Sequence, residues 1–329
     1  MSGPDERPVL VVTEAADVTA DMVIAELNRI GCPVTRFDPA DFGNGLTLTA
    51  RFGGNGNDTA PGAAVGGHLR TPSRTAELQA VRAVYWRRPR WPGFAHLDED
   101  DRRFAAAQVR HGLAGTLYAL NAPLWVNHPL RTEAADHKAA QLAAAVRLGL
   151  RVPPTLITND PGEAAEFIGE HGDVIHKTLR WTPYVRDGVS MTSWAEPVAV
   201  EDLDDTVRAA PHLFQVRVDK VADLRVLVVG ARVFAVRIDS GLLDWRRDYS
   251  ALSYRVVDLP DGLADTLQSC LRHFGLVSGS FDLALDANGD AHWLELNPNG
   301  QWGWLATETG LPMAAAFAAL LASGSTPRR

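Results

Sequence analysis

What this chain lacks narrows the field before anything it contains. It has two cysteines, Cys32 and Cys270, far apart, with no Cys-x-x-Cys pair and no Cys/His spacing of the zinc type. A disulfide framework is excluded, and a reducing compartment suits both thiols. No apolar run approaches the ~18 residues of a membrane span. The N-terminus offers only the four-residue run Val9 to Val12, too short for a secretory signal. A soluble cytoplasmic protein is expected. An excess of positive charge is missing too: 32 Lys and Arg stand against 40 Asp and Glu, a net charge of −8, which argues against a general nucleic-acid binder. No internal repeat is visible. What is present is 329 residues of ordinary globular composition, enough for two or three domains with a substantial core.

The hairpin-like stretch Ser280 to Trp304 organises the rest. Asn288-Gly289 sits between two apolar or alternating runs, and Asn-Gly is the preferred pair for a two-residue hairpin loop. With that loop Asp282 faces Glu295, and Asn297 lies two residues on, on the same face. At ~5 Å and an effective dielectric of about 20 the two carboxylates repel by about 3 kcal/mol. A bound divalent cation reverses the sign, and Asp, Glu and Asn oxygens are the hard ligands Mg²⁺ takes. A shared proton, or a turn one residue longer, are the alternatives.

Earlier in the chain, Val9 to Thr13, the helical spacing Val23-Leu27-Ile30 closed by Gly31, and Val34 to Phe37 read as β-α-β, the start of a small parallel sheet. Arg51 to Gly67 is expected to be an exposed loop, and its Gly-Gly-Asn-Gly lacks the context of a dinucleotide fingerprint. Val81 to Trp86 is a strand running into Arg87, Arg88, Pro89, Arg90 and Trp91. That basic, aromatic end either holds a carboxylate or part of a peptide, or is a solvated edge that pairs with the acidic run Asp98 to Asp101. A long helix follows to Leu120, and Trp125 to Asn127 closes the N-terminal region. Thr132 is expected to cap a helix containing Lys138 and ending at Gly149. Asp160-Pro161 starts another, ended by Gly172, and Val174 to Lys177 is a strand with a lone lysine. Trp181 to Thr192 is a polar segment able to close over a ligand. Leu213 to Val218 is a strand, Leu224 to Val229 and Val233 to Ile238 a hairpin, Asp265 to Phe274 a helix. Leu311 to Leu321 is a C-terminal helix, followed by a tail expected to be disordered.

The ordered series of two isolated lysines, FQVRVDK, and a carboxylate hairpin ending in LELNPNGQWGW resembles the ATP-grasp ligases. WVNHP, DHKAAQLAAAVRLGLRVPPTLIT and VADLRVLVVGARVFAVRIDS look like one branch, the graspetide (microviridin-type) peptide-maturation ligases. The resemblance runs from about Tyr85 to Pro312. It implies an α/β (α+β) ATP-grasp fold: an N-terminal β-α-β domain over residues 1–127, a central lobe over 128–210 and a C-terminal lobe over 211–329, with the nucleotide between the lobes. Carried over residue by residue, it implies that Lys138 and Lys177 hold the ATP phosphates. It further implies that Gln215, Val216 and Val218 form the adenine hinge, that Asp219 contacts the ribose, and that Asp282, Glu295 and Asn297 hold Mg²⁺. Arg237 and Lys220 are candidates for phosphate or acyl-phosphate contacts, and Arg225, Asp244 and Arg246 for holding the substrate. Ser280 stands where many ATP-grasp enzymes carry an arginine, and Arg237 is the expected replacement. The loop after Lys177 contains one glycine, Gly188, instead of a glycine-rich cover.

The implied reaction phosphorylates Asp or Glu side chains of a ribosomal precursor peptide. A Ser/Thr hydroxyl or Lys amine then closes an ester or amide ring, with ADP and phosphate released. The implied partner is that peptide, leader plus core, and a homodimer is compatible with the resemblance. The competing substrate class is a free amino acid or other small carboxylate. A non-catalytic docking protein on the same fold is the competing class of function.

Overall fold

The computed structural model describes residues 6–53, 64–120, 124–180, 182 and 184–325. By internal contacts the chain divides into two compact units. One comprises Met1–Pro129, Val229–Arg232 and Gln301–Arg329, and the other Leu130–Val228 and Val233–Gly300. The first boundary lies close to the one expected after residue 127. The last segment, from Gln301, groups with the N-terminal unit and not with the lobe expected over 211–329.

Four consecutive apolar residues, Val9–Val12 (β1), are fully buried, as the centre of a parallel sheet requires. Asp17 caps α1 (Val18–Arg29) by accepting from the Ala20 N–H at 3.1 Å, and Val23 and Leu27 bury its inner stripe. β2 (Val34–Phe37) pairs parallel with β1. An antiparallel sheet follows, made of β3 (Thr47–Arg51), β4 (Gly66–Arg70) and β5 (Thr75–Glu77). β6 (Ala83–Trp86) then returns beside β1. After α2 (Glu99–Tyr118), β7 (Leu124–Val126) completes the order β2-β1-β6-β7. The exposed loop expected over Arg51 to Gly67 is corrected at both ends, because Arg51 finishes β3 and Gly66 begins β4. Residues 54–63 lie outside those described. Gly67 is there for close strand approach: a Cβ on it would stand 2.1 Å from the Thr49 carbonyl oxygen.

In the second unit, two helices replace the one expected to begin at Thr132. Pro129 takes the first position of α3 (Pro129–Ala135), where its missing N–H costs nothing, so Thr132 is buried inside that helix and caps nothing. The chain breaks at Asp136 and His137, and Lys138 opens α4 (Lys138–Arg147). The next elements are β8 (Thr155–Thr158), α5 (Pro161–His171), β9 (Val174–Lys177), β10 (Tyr184–Arg186), β11 (Val189–Met191), β12 (Glu196–Val198) and β13 (His212–Val216). Strands β12-β9-β13-β8 form an antiparallel sheet whose Val174 and Phe214 pack on Ala164 and Ile168 of α5. β10 and β11 stand apart as a two-stranded hairpin within the segment expected to close over a ligand, of which residues 181 and 183 lie outside those described. The second sheet has the order β16-β15-β14-β17-β18. Its strands are β14 (Lys220–Val229), β15 (Arg232–Asp239), β16 (Ser253–Val256), β17 (Ser278–Asp286) and β18 (Ala291–Asn297), with α6 (Leu263–Phe274) before β17. One face of this sheet packs Leu224, Val226, Phe281, Leu283 and Trp293 with Leu267 and Leu271 of α6. By the period of a strand, Asp223, Arg225 and Asp282 lie on the other face.

Two helices finish the chain: α7 (Gly303–Thr309), which the sequence pattern did not suggest, and α8 (Met313–Ser323), which packs along α1. The expected disordered tail lies outside the described residues from 326 onward. Among the described residues no helix is long and apolar enough to cross a membrane.

Candidate active site

A bulge in the β17–β18 hairpin sets the site. The Asp286 N–H donates to the Asp290 carbonyl across a three-residue loop, Ala287-Asn288-Gly289, with Gly289 at φ +84°. Near the turn Leu283 therefore faces Trp293. The register then shifts between Asp282 and Leu283, leaving Leu294 unmatched, so that Asp282 faces Glu295 and Ser280 faces Asn297. The two-residue loop expected from Asn288-Gly289 is corrected, while the expected opposition of the carboxylates holds. Without the extra residue in β18, Glu295 would turn to the core beside Phe281.

The crowded carboxylates are compensated by side chains of the protein itself. Arg225 donates from Nη1 to both oxygens of Asp282 (2.7 and 2.6 Å), and Lys138 donates to Glu295 Oε2 at 2.5 Å. Asn297 donates from Nδ2 to Asp282 Oδ2 (3.0 Å) and Glu295 Oε1 (3.1 Å), bridging the pair. Arg246 is held by Asp244, Nε to Oδ1 and Nη2 to Oδ2 at 2.8 Å each, and its Nη1 lies 3.5 Å from Glu295 Oε1. The repulsion is thus offset by the protein's own cations, beside whatever a bound metal ion would add.

The two carboxyls respond in opposite directions. Burial opposes the charge of Glu295, but Lys138 and Arg246 outweigh it and hold the carboxyl well below its ordinary range. Asp282 is pushed up, by burial first and by Glu295 as well, against the pull of Arg225. Lys177 falls to about 8 because it is buried, with Lys138 and Arg246 adding repulsion. Its Nζ donates to Gln215 Oε1 at 2.7 Å, and Gln215 Nε2 donates to Thr155 Oγ1 at 2.8 Å, so three strands fix this lysine. Gln141, missed in the sequence, does the same for Lys138. It donates to the Ala135 and Leu296 carbonyls (2.6 and 2.8 Å) and accepts from the Leu296 N–H, which locks α4 onto β18 beside Glu295. Nothing in the sequence marked it, since its burial and the start of α4 at Lys138 are visible only in the fold.

Other expected residues fall elsewhere. Arg237 is drawn to Asp239 (2.7 Å), next to Arg255, and touches neither carboxylate. The cation standing beside Ser280 is Arg225, since a Cβ on Gly300 would lie 2.8 Å from both Arg225 Nη2 and Ser280 Oγ. Lys220 donates to Asp223 Oδ2 (2.6 Å) and the Leu243 carbonyl (2.8 Å). Val216 donates its N–H to the Pro154 carbonyl, Val218 accepts from Lys220 N, and Asp219 is exposed just beyond β13. In the N-terminal unit, the basic strand end does not pair with the acidic run expected to neutralise it. Arg87 is buried on Asp17 and Arg90 pairs with Asp38, while Asp98 caps α2.

Among the described residues no three His, Cys, Asp or Glu side chains are grouped for a metal, so a cation here needs Asn297 as its third donor. The donor set fits a hard divalent ion once the Asn297 amide is turned over to present Oδ1. Ser280 Oγ, buried and without a hydrogen-bond partner, marks a further polar position on that face.

No protein-family model matches the chain, and no curated protein does. Solved structures do. A Chryseobacterium gregarium ATP-grasp ligase associated with ribosomal peptides, in complex with ADP and a leader and core peptide, is 26% identical over 98% of both chains, with a TM-score of 0.87. The macrocyclase MdnC of Microcystis aeruginosa, bound with precursor peptide MdnA, is 26% identical over 96% of this chain and 99% of its own, TM-score 0.83. MdnB of the same organism is 29% identical with the same coverage, TM-score 0.77. The chain has the ATP-grasp fold of these ligases, and the likeness supports an ATP-dependent ligase. In this chain the lysines, the arginines and the carboxylate hairpin all belong to one compact unit, Leu130–Val228 with Val233–Gly300.

Proposed function

We propose that this ligase phosphorylates Asp or Glu side chains of a ribosomal precursor peptide and closes ester or amide macrocycles on them. The observation that carries the reading is the single face on which Asp282, Glu295 and Asn297 meet Lys138, Arg225 and Arg246. Likeness to peptide-bound ligases over nearly the whole chain supports it. A carboxylate is a poor electrophile, so ATP first converts it to an acyl phosphate, and phosphate then leaves as the nucleophile attacks. Lys138 and Lys177 are the point charges that hold the phosphates, and Arg246 offsets charge on the transferring group. Asp282, Glu295 and Asn297 would hold Mg²⁺, which supplies Lewis-acid stabilisation of the phosphates when bound. Gln215 through Val218 form the adenine hinge and Asp219 reaches the ribose.

The β10–β11 hairpin carries Tyr184, Val189 and Met191 on one face, each about half exposed or more, with Val185 exposed on the other. An apolar strip of this kind suits docking of a leader segment. The test is incubation with a candidate precursor, ATP and Mg²⁺. Loss of one water mass per ring with stoichiometric ADP is expected. ADP release with a free amino acid but with no peptide would overturn the peptide reading in favour of a small carboxylate.

A further inference from the structure

Three buried carboxylates, Asp223, Asp244 and Asp282, and the partly exposed Glu295 belong to the polar side of the second sheet and the segment that lines it. Three of the four are fully engaged. Asp282 has both oxygens on Arg225, and Glu295 has one on Lys138 and the other on Asn297. Asp244 accepts from Arg246 with both oxygens. Asp223 is different. Its Oδ2 accepts from Lys220 at 2.6 Å, while Oδ1 accepts no hydrogen bond among the described residues, although the residue is only 4% exposed. Asp223 lies two residues before Arg225 on β14, hence on the face that carries Asp282. Lys220 is tied in turn to the Leu243 carbonyl, next to Asp244.

The reaction assigned above has a proton without a destination. When a hydroxyl attacks the acyl phosphate, its oxygen forms the new bond to the acyl carbon, and the bond from that carbon to the phosphate oxygen breaks with its electron pair leaving on phosphate. The hydroxyl proton must be taken up as this happens. We propose that Asp223 Oδ1 accepts it, so that Asp223 is the general base of ring closure, with Lys220 as the positioning residue that fixes its other oxygen. The proton then passes to the released phosphate, which restores the carboxylate. Burial pushes Asp223 up to about 6, against Lys220 and aided by Asp282 and Asp244, which leaves it ionised yet basic at neutral pH.

This inference rests on the peptide-ligase reading, and the test separates the two. O-Methylhydroxylamine is an uncharged, strong nucleophile that traps acyl phosphates as hydroxamates without a base. With precursor and ATP, the wild-type protein is expected to give rings alone and peptide hydroxamate when the trap is added. Asp223→Asn should lose ring closure by at least ~100-fold and keep hydroxamate formation within about threefold. Ring closure by Asp223→Asn near the wild-type rate overturns the proposal, and so does an equal loss of both products, which would make the residue structural or part of phosphoryl transfer. A wild-type protein that forms neither product overturns the peptide reading itself, and the proposal with it. Should Asp223→Asn fail to fold, the wild type decides. Its ring-closure rate should fall below about pH 6 while hydroxamate formation does not, and parallel profiles would sink the assignment.

Discussion

Among the described residues two arginine–aspartate pairs are buried on both sides, and only one is joined to further charges from other elements. In the N-terminal unit, Arg87 reaches Asp17 at 3.2 Å. Asp17 also receives the Thr13 hydroxyl and the Ala20 N–H, and Gln301 accepts from both Thr19 and Arg87. Burial opposes the charge of Asp17, yet Arg87 holds its carboxyl below the ordinary range. In the second unit, the Arg225–Asp282 pair runs through Asn297 to Glu295, Lys138 and Arg246. Those charges exceed what local folding needs. Burial of an ion pair therefore does not mark chemistry, whereas convergence of several charges from different elements on one face does.

The comparison breaks most plainly if the two groups respond alike to substitution. Glu295→Gln removes the lysine's partner and an oxygen proposed for the metal, and ATP-dependent ADP release is expected to fall about 10³-fold. Its unfolding midpoint should fall only modestly, because Lys138 and Arg246 lose their carboxylate while the repulsion with Asp282 is relieved. Activity within tenfold of wild type would remove Glu295 from the chemistry. Arg87→Met should do the reverse. It strands Asp17 in the interior and costs about 3–5 kcal/mol in denaturant unfolding, with kcat of the folded protein within about threefold of wild type. A large loss of kcat at unchanged stability would mean that the N-terminal pair also serves the reaction.

A subtler expectation sharpens the second group. In the protein alone, Lys138 occupies the oxygen of Glu295 that a cation would use. Lys138→Met should therefore strengthen Mn²⁺ binding in the absence of nucleotide by roughly tenfold, read by Mn²⁺ electron paramagnetic resonance. The same variant should weaken nucleotide binding. Unchanged Mn²⁺ affinity would show that the lysine does not stand in for the metal.

Much of this was legible in residues, and the rest was hidden for identifiable reasons. Val9 to Val12, the Asp160-Pro161 helix start and the β14–β15 hairpin follow from burial, capping and turn chemistry, which are local. The facing of Asp282 and Glu295 was reached from a loop one residue too short, and the bulge at Leu294 restored the register. Trp293 and Leu296 both bury in one core although they stand three apart, a spacing that a regular strand forbids and a bulge requires. That clue lay in the sequence. The direction of Arg237, the seat of Arg225 beside Gly300 and the one free oxygen of Asp223 depend on which face of a five-stranded sheet is covered by helices. No pattern within a single strand reports that.

The smallest effect expected concerns Lys177, the lysine that burial lowers to about 8 from the ordinary 10.5. Below pH 8 the free protein carries this charge, and as pH rises through 8 it loses it. The unfolded chain keeps the proton until about 10.5, so between these values the unfolded state binds more protons and this group alone makes stability rise with pH. Lys177→Met should abolish that rise. A triphosphate beside Lys177 favours the charged form, so nucleotide binding near pH 9 should take up a proton, and affinity should weaken toward tenfold per pH unit above about 8. Calorimetry in two buffers of different ionisation enthalpy measures the uptake directly. No uptake at pH 9 would place Lys177 away from the phosphates and leave Lys138 as the only lysine expected to hold them.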